Sequence, residues 1–315
     1  MLLSVGRRAG IFVASLLASS VVVFALMAIL PGDPARVALG LDATSKQVAA
    51  LHSQYGLDKP LVERYLNWVH DLVTLHLGDS YVSQASIGPE IGQRIPVTLI
   101  LVGTAMIIAI LIAVPLGTLM AVRHRRLSGL ALSSISQVGV AVPTFLLGIV
   151  FAAVFAVRLR WLPANGWTEP ENGFSLFLRQ LILPALSLGL CQAAIIARYV
   201  RSSVLDVMDQ DYIRTARAKG LRPAQALARH GLRNAAIPVV TVLAVQLAYL
   251  LLGAVVVEQV FAIPGLGSLL TDSVSTRDLN VVEDVSMLMV GAVLVINLVV
   301  DLLYVAIDPR LRAAS

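Results

Sequence analysis

Six times along this 315-residue chain the charged residues stop for long enough to let a helix cross a bilayer. The gaps lie between Arg8 and Asp33 (24 residues), Arg94 and Arg123 (28), Arg126 and Arg158 (31), Arg179 and Arg198 (18), Arg233 and Glu258 (24), and Asp284 and Asp301 (16). A spanning helix needs about 20 predominantly apolar residues. The last gap reaches that length only by running past Asp301 towards Asp308. Lipid offers no water to backbone N–H and C=O groups, so such runs predict helices. Composition agrees, with only 14% charged residues against roughly 25% in soluble domains. The expected fold is all-α and polytopic, with six transmembrane helices.

The first run follows Arg7-Arg8, as the core of a secretory signal would. Its apolar part, Gly10 to Leu30, exceeds the roughly 7–15 residues of a signal core. Pro31-Gly32-Asp33-Pro34 closes it where a small-x-small cleavage site would stand, so it reads as a retained helix. With the amino terminus inside, the inner segments carry 15 of the 24 Lys and Arg, and the longer outer segments carry 9. The positive-inside rule then puts both termini in the cytoplasm. The expected organisation is an N-terminal tail and first helix at 1–30, and an extracytoplasmic helical segment at 31–95. A core of helices two to six follows at 96–308, with an inner loop at 201–236 and a cytoplasmic tail at 309–315.

The 31–95 segment has its own local signals. Thr44-Ser45-Lys46-Gln47 fits a capping box, followed by Val48, Leu51 and Tyr55 at helical spacing. A second helix is expected after Asp58 as cap, with Pro60 in its first turn and Leu61, Tyr65, Val69 and Leu72 on one face. This segment is either a packing cap on the spans or a docking surface. Trp161 and Trp167 in "RWLPANGW" suit the membrane interface. "FAIPGLG", Phe261 to Gly267, reads as a turn. Pro115, Pro143 and Pro184 each remove a helical hydrogen bond, so kinks are expected near them.

Catalytic signatures are missing. No G-x-x-x-x-G-K-[ST] loop precedes Lys46, Lys59 or Lys219, so the chain is not expected to hydrolyse ATP. His52, His70 and His76 share one segment but lack ligand spacing, and no metal site is expected. The lone Cys191 sits in an apolar run, where burial raises a thiol pKa. The polar groups that stand out within spans are Gln246 and Glu258, candidate translocation-path residues. Glu258 either lines a pathway or snorkels. Asn297 and Asp301 share a face at i,i+4, and a structural pairing of Asp301 with Arg198 is expected. An ionisable group at mid-bilayer costs about 3 kcal/mol on insertion scales, so Glu258 and Asp301 each imply a pathway or a partner.

The segment "DYIRTARAKGLRPAQALARHGLRN", Asp211 to Asn234, breaks the apolar pattern with Arg214, Arg217, Lys219, Arg222, Arg229 and Arg233. Topology explains the charge, and nucleic acid is not expected as a partner. The order of residues says more. This stretch resembles the coupling loop of permeases in binding-protein-dependent ABC importers, in the oligopeptide, dipeptide and nickel branch. "LPGDPA", "YGLDKPLVERYLNW", "LGDSYV", "RWLPANGW", "VVVEQVFAIPGLG" and "DLLYVAIDPRLR" recur in the same order, so the similarity covers nearly the whole chain. The general motif begins Glu-Ala-Ala, where this chain has Arg214, Thr215 and Ala216. Its later Leu-Pro is replaced by Leu232-Arg233. The peptide branch shares these departures.

The resemblance implies a type I importer permease in the bacterial plasma membrane, forming half of a pore with a second permease, a paralogue of this chain. Two ATPase subunits would lie beneath it, with ATP and Mg bound there and no cofactor on this chain. An extracytoplasmic binding protein would deliver di- or oligopeptides or related solutes. Tyr212, Arg214, Thr215, Ala216, Ala218, Lys219, Gly220 and Leu221 would contact the ATPases. Tyr212 to Lys219 has the length of about two helical turns, with Ala216 and Ala218 keeping its profile small. Gly220 can turn the chain at positive φ, and a second helix from Pro223 to His230 would brace the first. The competing reading is a secondary transporter or channel. It would put buried charges and broken, pseudo-symmetric helices in the spans, and it would bring down no ATPase on purification.

Overall fold

The computed structural model describes residues 2–29, 33–39 and 43–307. The Pro31-Gly32 step and the 309–315 tail fall outside them. Thirteen α-helices are described. They divide into two units, residues 1–98 with 264–315, and residues 99–263.

In the first unit, α1 (Leu2–Ile29) lies along α13 (Leu279–Ile307). Their ends are tied differently. Arg8 Nη1 meets Asp301 Oδ1 at 2.9 Å and also donates to the Asp301 carbonyl at 2.9 Å. Near the opposite ends a short helical layer crosses them, made of α2 (Pro34–Leu39), α3 (Ser45–Gln54) and α4 (Leu61–Thr74). Thr44 and Gln47 form the expected capping box at α3. Val48 and Leu51 bury against Ala35 beneath it. Helix α4 packs its Tyr65 and Trp68 against Phe24 of α1, with ring centroids 5.5 and 6.0 Å away. Asp58 does not cap this helix. Pro60 takes the cap position at φ −54 and ψ 143, with no side-chain bond. A proline there pre-sets the turn and leaves no N–H to satisfy.

α5 (Ile87–Val122) begins in the first unit and continues into the second. It starts before Arg94, which pairs with Glu90 one turn earlier at 2.8 Å. The helix therefore reaches further into the polar segment than the charge gap suggests. It runs unbroken through Pro115.

The second unit is organised on α8 (Pro170–Met208), packed by α6 (Leu127–Ala141), α7 (Thr144–Phe151) and α11 (Leu232–Val260). Its core is rich in small residues, including Ala109, Ala113, Ala121, Ala193 and Ala197. A methyl at Gly117 would sit 2.5 Å from the Ala197 carbonyl oxygen. The α5 and α8 backbones thus touch. Close approach of small residues is how helices associate where lipid is as apolar as leucine. Large residues point the other way, as at Leu111, 69% exposed.

Among the described residues five helices are long and apolar enough to cross a membrane, and the third expected span is different. It is a pair, α6 followed by α7 and a π-helical turn at Ala152–Arg158, bent by 96° at the break. Pro143 explains the break. It lacks an N–H and pushes Val142 into an extended conformation, φ −80 and ψ 123. At the break the Val142 carbonyl accepts from Cys191 Sγ at 3.7 Å, and Ser136 donates to the Ala194 carbonyl at 2.9 Å. Pro184, by contrast, is accommodated inside α8, whose non-helical residue is Gly173. Two short helices escaped the sequence reading: α2, and α12 (Leu266–Thr276), which begins within the "FAIPGLG" stretch, where Ala262 takes φ 49.

Candidate functional site

The 201–236 segment folds as a compact hook at the foot of α8. Helix α9 (Asp211–Ala218) is set one residue earlier than expected, with Lys219 as its C-cap. Asp211 in its first turn and Arg217 in its last both complement the helix dipole. Its isolated length is too short to be stable alone, so tertiary contacts hold it. Ile213 (1% exposed) and Ala216 (8%) supply them, joining Val207 of α8 and Leu227 in the core of this unit.

This placement corrects one expectation. Ala216 is small because it is pressed against its own chain, not to present a low profile outward. Tyr212, Arg214, Thr215, Ala218, Lys219 and Gly220 are exposed, and Leu221 is half-buried. Of these, Thr215 caps its own turn by donating to the Asp211 carbonyl at 2.9 Å. Arg214 stands 3.5 Å from Asp211. Gly220 has φ +91, and no atom lies within 4 Å of where a Cβ would be. The glycine is required by the backbone and not by crowding. Its N–H closes the turn on the Arg217 carbonyl at 2.9 Å.

The brace after Gly220 is shorter and less regular than a single helix to His230. One α turn, α10 (Pro223–Ala226), passes into a π-helical turn at Leu227–Gly231 and then directly into α11. Arg222 N–H is capped by Gln225 Oε1 at 3.1 Å. Gly231 is in the tight spot, since a Cβ there would lie 2.8 Å from Leu227 Cδ1 and 2.9 Å from Val207 Cγ1. Asn234, on the first turn of α11, donates to the Tyr212 hydroxyl at 3.0 Å. Sequence reasoning missed Ile213, Gly231 and Asn234. Only Ile213 had a signal, as the lone large aliphatic residue among polar neighbours. A shallow notch of about 180 Å³ opens on this hook between Tyr212, Thr215, Lys219, Leu221 and His230.

The remaining candidates sit elsewhere. Gln246 (7% exposed) and Glu258 (0%) are enclosed on α11. A side chain with no solvent contact does not snorkel. Asn297 is exposed on α13, as is Arg198 on α8. Asp301 takes Arg8 as its ion-pair partner, in place of the expected Arg198. The two charges meet because α1 and α13 run side by side.

The helical layer over α1 and α13 holds polar chemistry of its own. His52 Nε2 lies 2.7 Å from Asp33 Oδ1. Burial raises the Asp33 carboxyl, but the His52 bond and the Ala35 N–H outweigh it and hold the group below its ordinary value of 3.8. Tyr81 stacks on Tyr55 with ring centroids 4.4 Å apart. Burial pushes the Tyr81 phenol up to about 12, with the charges of Glu283, Asp278 and Asp284 adding to the effect and Arg64 opposing it.

Residues 113–313 match the family model described as the binding-protein-dependent transport system inner membrane component, and residues 1–102 match its N-terminal companion. A probable peptide ABC transporter permease protein of Sinorhizobium fredii is 37% identical over 290 residues, covering 92% of this chain and 93% of the relative. A glutathione transport system permease protein of Escherichia coli K12 is 41% identical over 293 residues, covering 93% of each. Among solved structures, an amino acid ABC transporter crystallised with histidines matches with a TM-score of 0.50 at 16% identity. That match covers 68% of this chain and 92% of the other, and it speaks to fold alone.

Proposed function

The chain belongs to the inner-membrane components of binding-protein-dependent transport systems, and on that premise we propose that it carries peptides or small peptide-like solutes and is driven through the Asp211–Leu221 hook. It is a non-catalytic, multi-pass permease subunit of an ABC importer, a family that works with ATPase subunits and a substrate-binding protein. The peptide class is supported by relatives named for peptide and for glutathione transport. In this reading both termini and the hook lie in the cytoplasm, and the 31–95 segment lies outside. A paralogous permease completes the pore, and two ATPases carry ATP and Mg.

The observation that carries the coupling role is how α9 is held. Its inner face is locked into the α8 core by Ile213 and Ala216, while Tyr212, Arg214, Thr215, Ala218 and Lys219 stand exposed. A push on the exposed face is therefore transmitted to α8 and, through the Asn234–Tyr212 bond and Gly231, to α11. Rigid elements with two positions are how such signals travel. ATP-driven closure of the ATPases moves the hook, and the pore exchanges its open side. In this reading Gln246 and Glu258, buried on α11, belong to that path.

The test is Gly220→Glu in the assembled importer, reading peptide uptake and co-purification of the ATPases. The expected result is a protein that inserts and assembles but does not transport. Normal uptake by this variant overturns the coupling role. Absence of ATPases from the wild-type preparation overturns the importer reading itself.

A further inference from the structure

We infer that the cavity beneath α4 is a binding site for a short zwitterionic peptide, its ammonium end held by Glu283 and Asp284 and its carboxylate end by Arg64 and Lys59. This rests on the peptide-importer reading above, with the 31–95 segment outside the membrane. The cavity has a volume of about 470 Å³, within the roughly 300–1,000 Å³ of small-molecule sites.

The acidic wall is incomplete as it stands. Asp284 is 2% exposed and lines the cavity. Its Oδ1 accepts from Trp68 Nε1 at 2.9 Å, while its Oδ2 is buried with no hydrogen-bond partner among the described residues. An unmet buried carboxylate oxygen is costly. A ligand ammonium brings three N–H donors to it. Glu283 stands beside it in the same wall, with Asp71 and Asp79 also lining the cavity. An organic ammonium matches this wall both in charge and in its three donors.

The same cavity carries the opposite charge. Arg64 makes no ion pair among the described residues; its guanidinium lies 6.0 Å over the Phe24 ring. Lys59 pairs with Glu63 at 3.0 Å, but both are about half exposed, and exposed pairs of this kind are weak. Both signs lining one small cavity select a ligand with both signs. A simple cation would be repelled by Arg64, and a simple anion by the carboxylates.

The walls are built in advance. Asp278, 4% exposed, accepts from the Ser80 hydroxyl and from the Tyr81 N–H at 3.1 Å. Asn280 donates to the Asp79 carbonyl at 2.8 Å. These bonds fix the Leu77–Tyr81 stretch to the start of α13, and Tyr81 is backed by Tyr55. Preorganisation lowers the entropy that a ligand must give up on binding, and the aromatic faces favour an ammonium.

The experiment uses the full-length permease in lipid nanodiscs without its binding protein. Dialanine and trialanine are the probes, with N-acetyl-dialanine and dialanine amide as controls, read by saturation-transfer NMR with competition. Both free peptides bind, and blocking either end weakens binding at least about tenfold, the worth of a charged hydrogen bond. Asp284→Asn keeps an acceptor for Trp68 but weakens the free peptides while leaving the acetylated control unchanged. Arg64→Gln does the same towards the amide. No binding by either peptide overturns the inference. Equal binding of the blocked forms, or variants that keep wild-type melting and wild-type affinity, does so too. ATPase co-purification from the same preparation is scored separately. Its presence without peptide binding removes only the cavity, and its absence removes the importer reading while the binding data still decide the cavity.

Discussion

The side-chain amide of Asn234 donates to the hydroxyl of Tyr212 across 3.0 Å, joining the first turn of α11 to the exposed face of α9. The two residues are 22 positions apart, on opposite sides of the glycine turn. The bond therefore closes the hook as a ring and links the exposed face directly to a spanning helix.

Breaking that ring should uncouple more than it unfolds. Tyr212 is 40% exposed, so the bond contributes about 1 kcal/mol or less. Asn234→Ala and Tyr212→Phe should each leave membrane insertion intact and lower substrate-stimulated ATPase activity by roughly fivefold or less. The double variant should be no worse than either single, because both remove the same interaction. Additive losses in that cycle would show that the two residues act separately.

Two glycines in the hook should fail for different reasons. Gly231→Ala drives a methyl into Val207 and Leu227 and should cost about 1–3 kcal/mol, seen as a lower melting temperature of the purified chain. Gly220→Ala meets no neighbour but pays for a left-handed backbone, about 1–2 kcal/mol. Leu227→Ala, by opening room, should partly rescue Gly231→Ala and do nothing for Gly220→Ala. Rescue of both, or of neither, contradicts this assignment.

The Arg8–Asp301 pair predicts a charge-swap result. Removing one partner leaves a lone charge near the ends of two apolar helices, which costs less than the about 3 kcal/mol of a mid-bilayer site. Asp301→Ala and Arg8→Ala should each reduce the yield of folded protein in membranes. Arg8→Asp combined with Asp301→Arg should restore much of it. Restoration instead by a substitution at Arg198 would return Asp301 to the partner expected from sequence.

The Asp33–His52 contact sets an acid limit on the α2–α3 layer. The Asp33 pKa is lowered by folding, so its contribution is fully present above the unfolded value of 3.8 and is lost as pH falls through the lower folded value. Limited proteolysis of the 33–55 region should be unchanged from pH 7 to about 5 and should accelerate only below about 4. Acceleration already between pH 7 and 5 would mean that another group governs the layer.

Much of this architecture is legible along the chain. Charge gaps place five of the six spans, the Thr44–Gln47 box starts α3 where it should, and "DYIRTARAKG" marks the hook. These signals are local, because backbone hydrogen bonding, capping and lipid solvation act over a few to 20-odd residues. Pro143 shows the limit. Its chemistry is local, but whether a proline breaks a span by 96° or is absorbed, as at Pro184, depends on the tertiary contacts around it. Here the Val142 carbonyl at the break accepts from Cys191 Sγ, 49 residues away.

The sequence by itself determined the membrane class, most of the helices and the family, since each follows from residue type and short-range order. The tertiary structure alone decided which side chains meet. Asp301 finds Arg8 across 293 positions, Trp68 finds Asp284 across 216, and Ala216 turns inward. No pattern along the chain encodes those pairings. They follow from helices packing side by side, which brings distant residues within bonding distance and makes burial, not charge or size, decide what each one does.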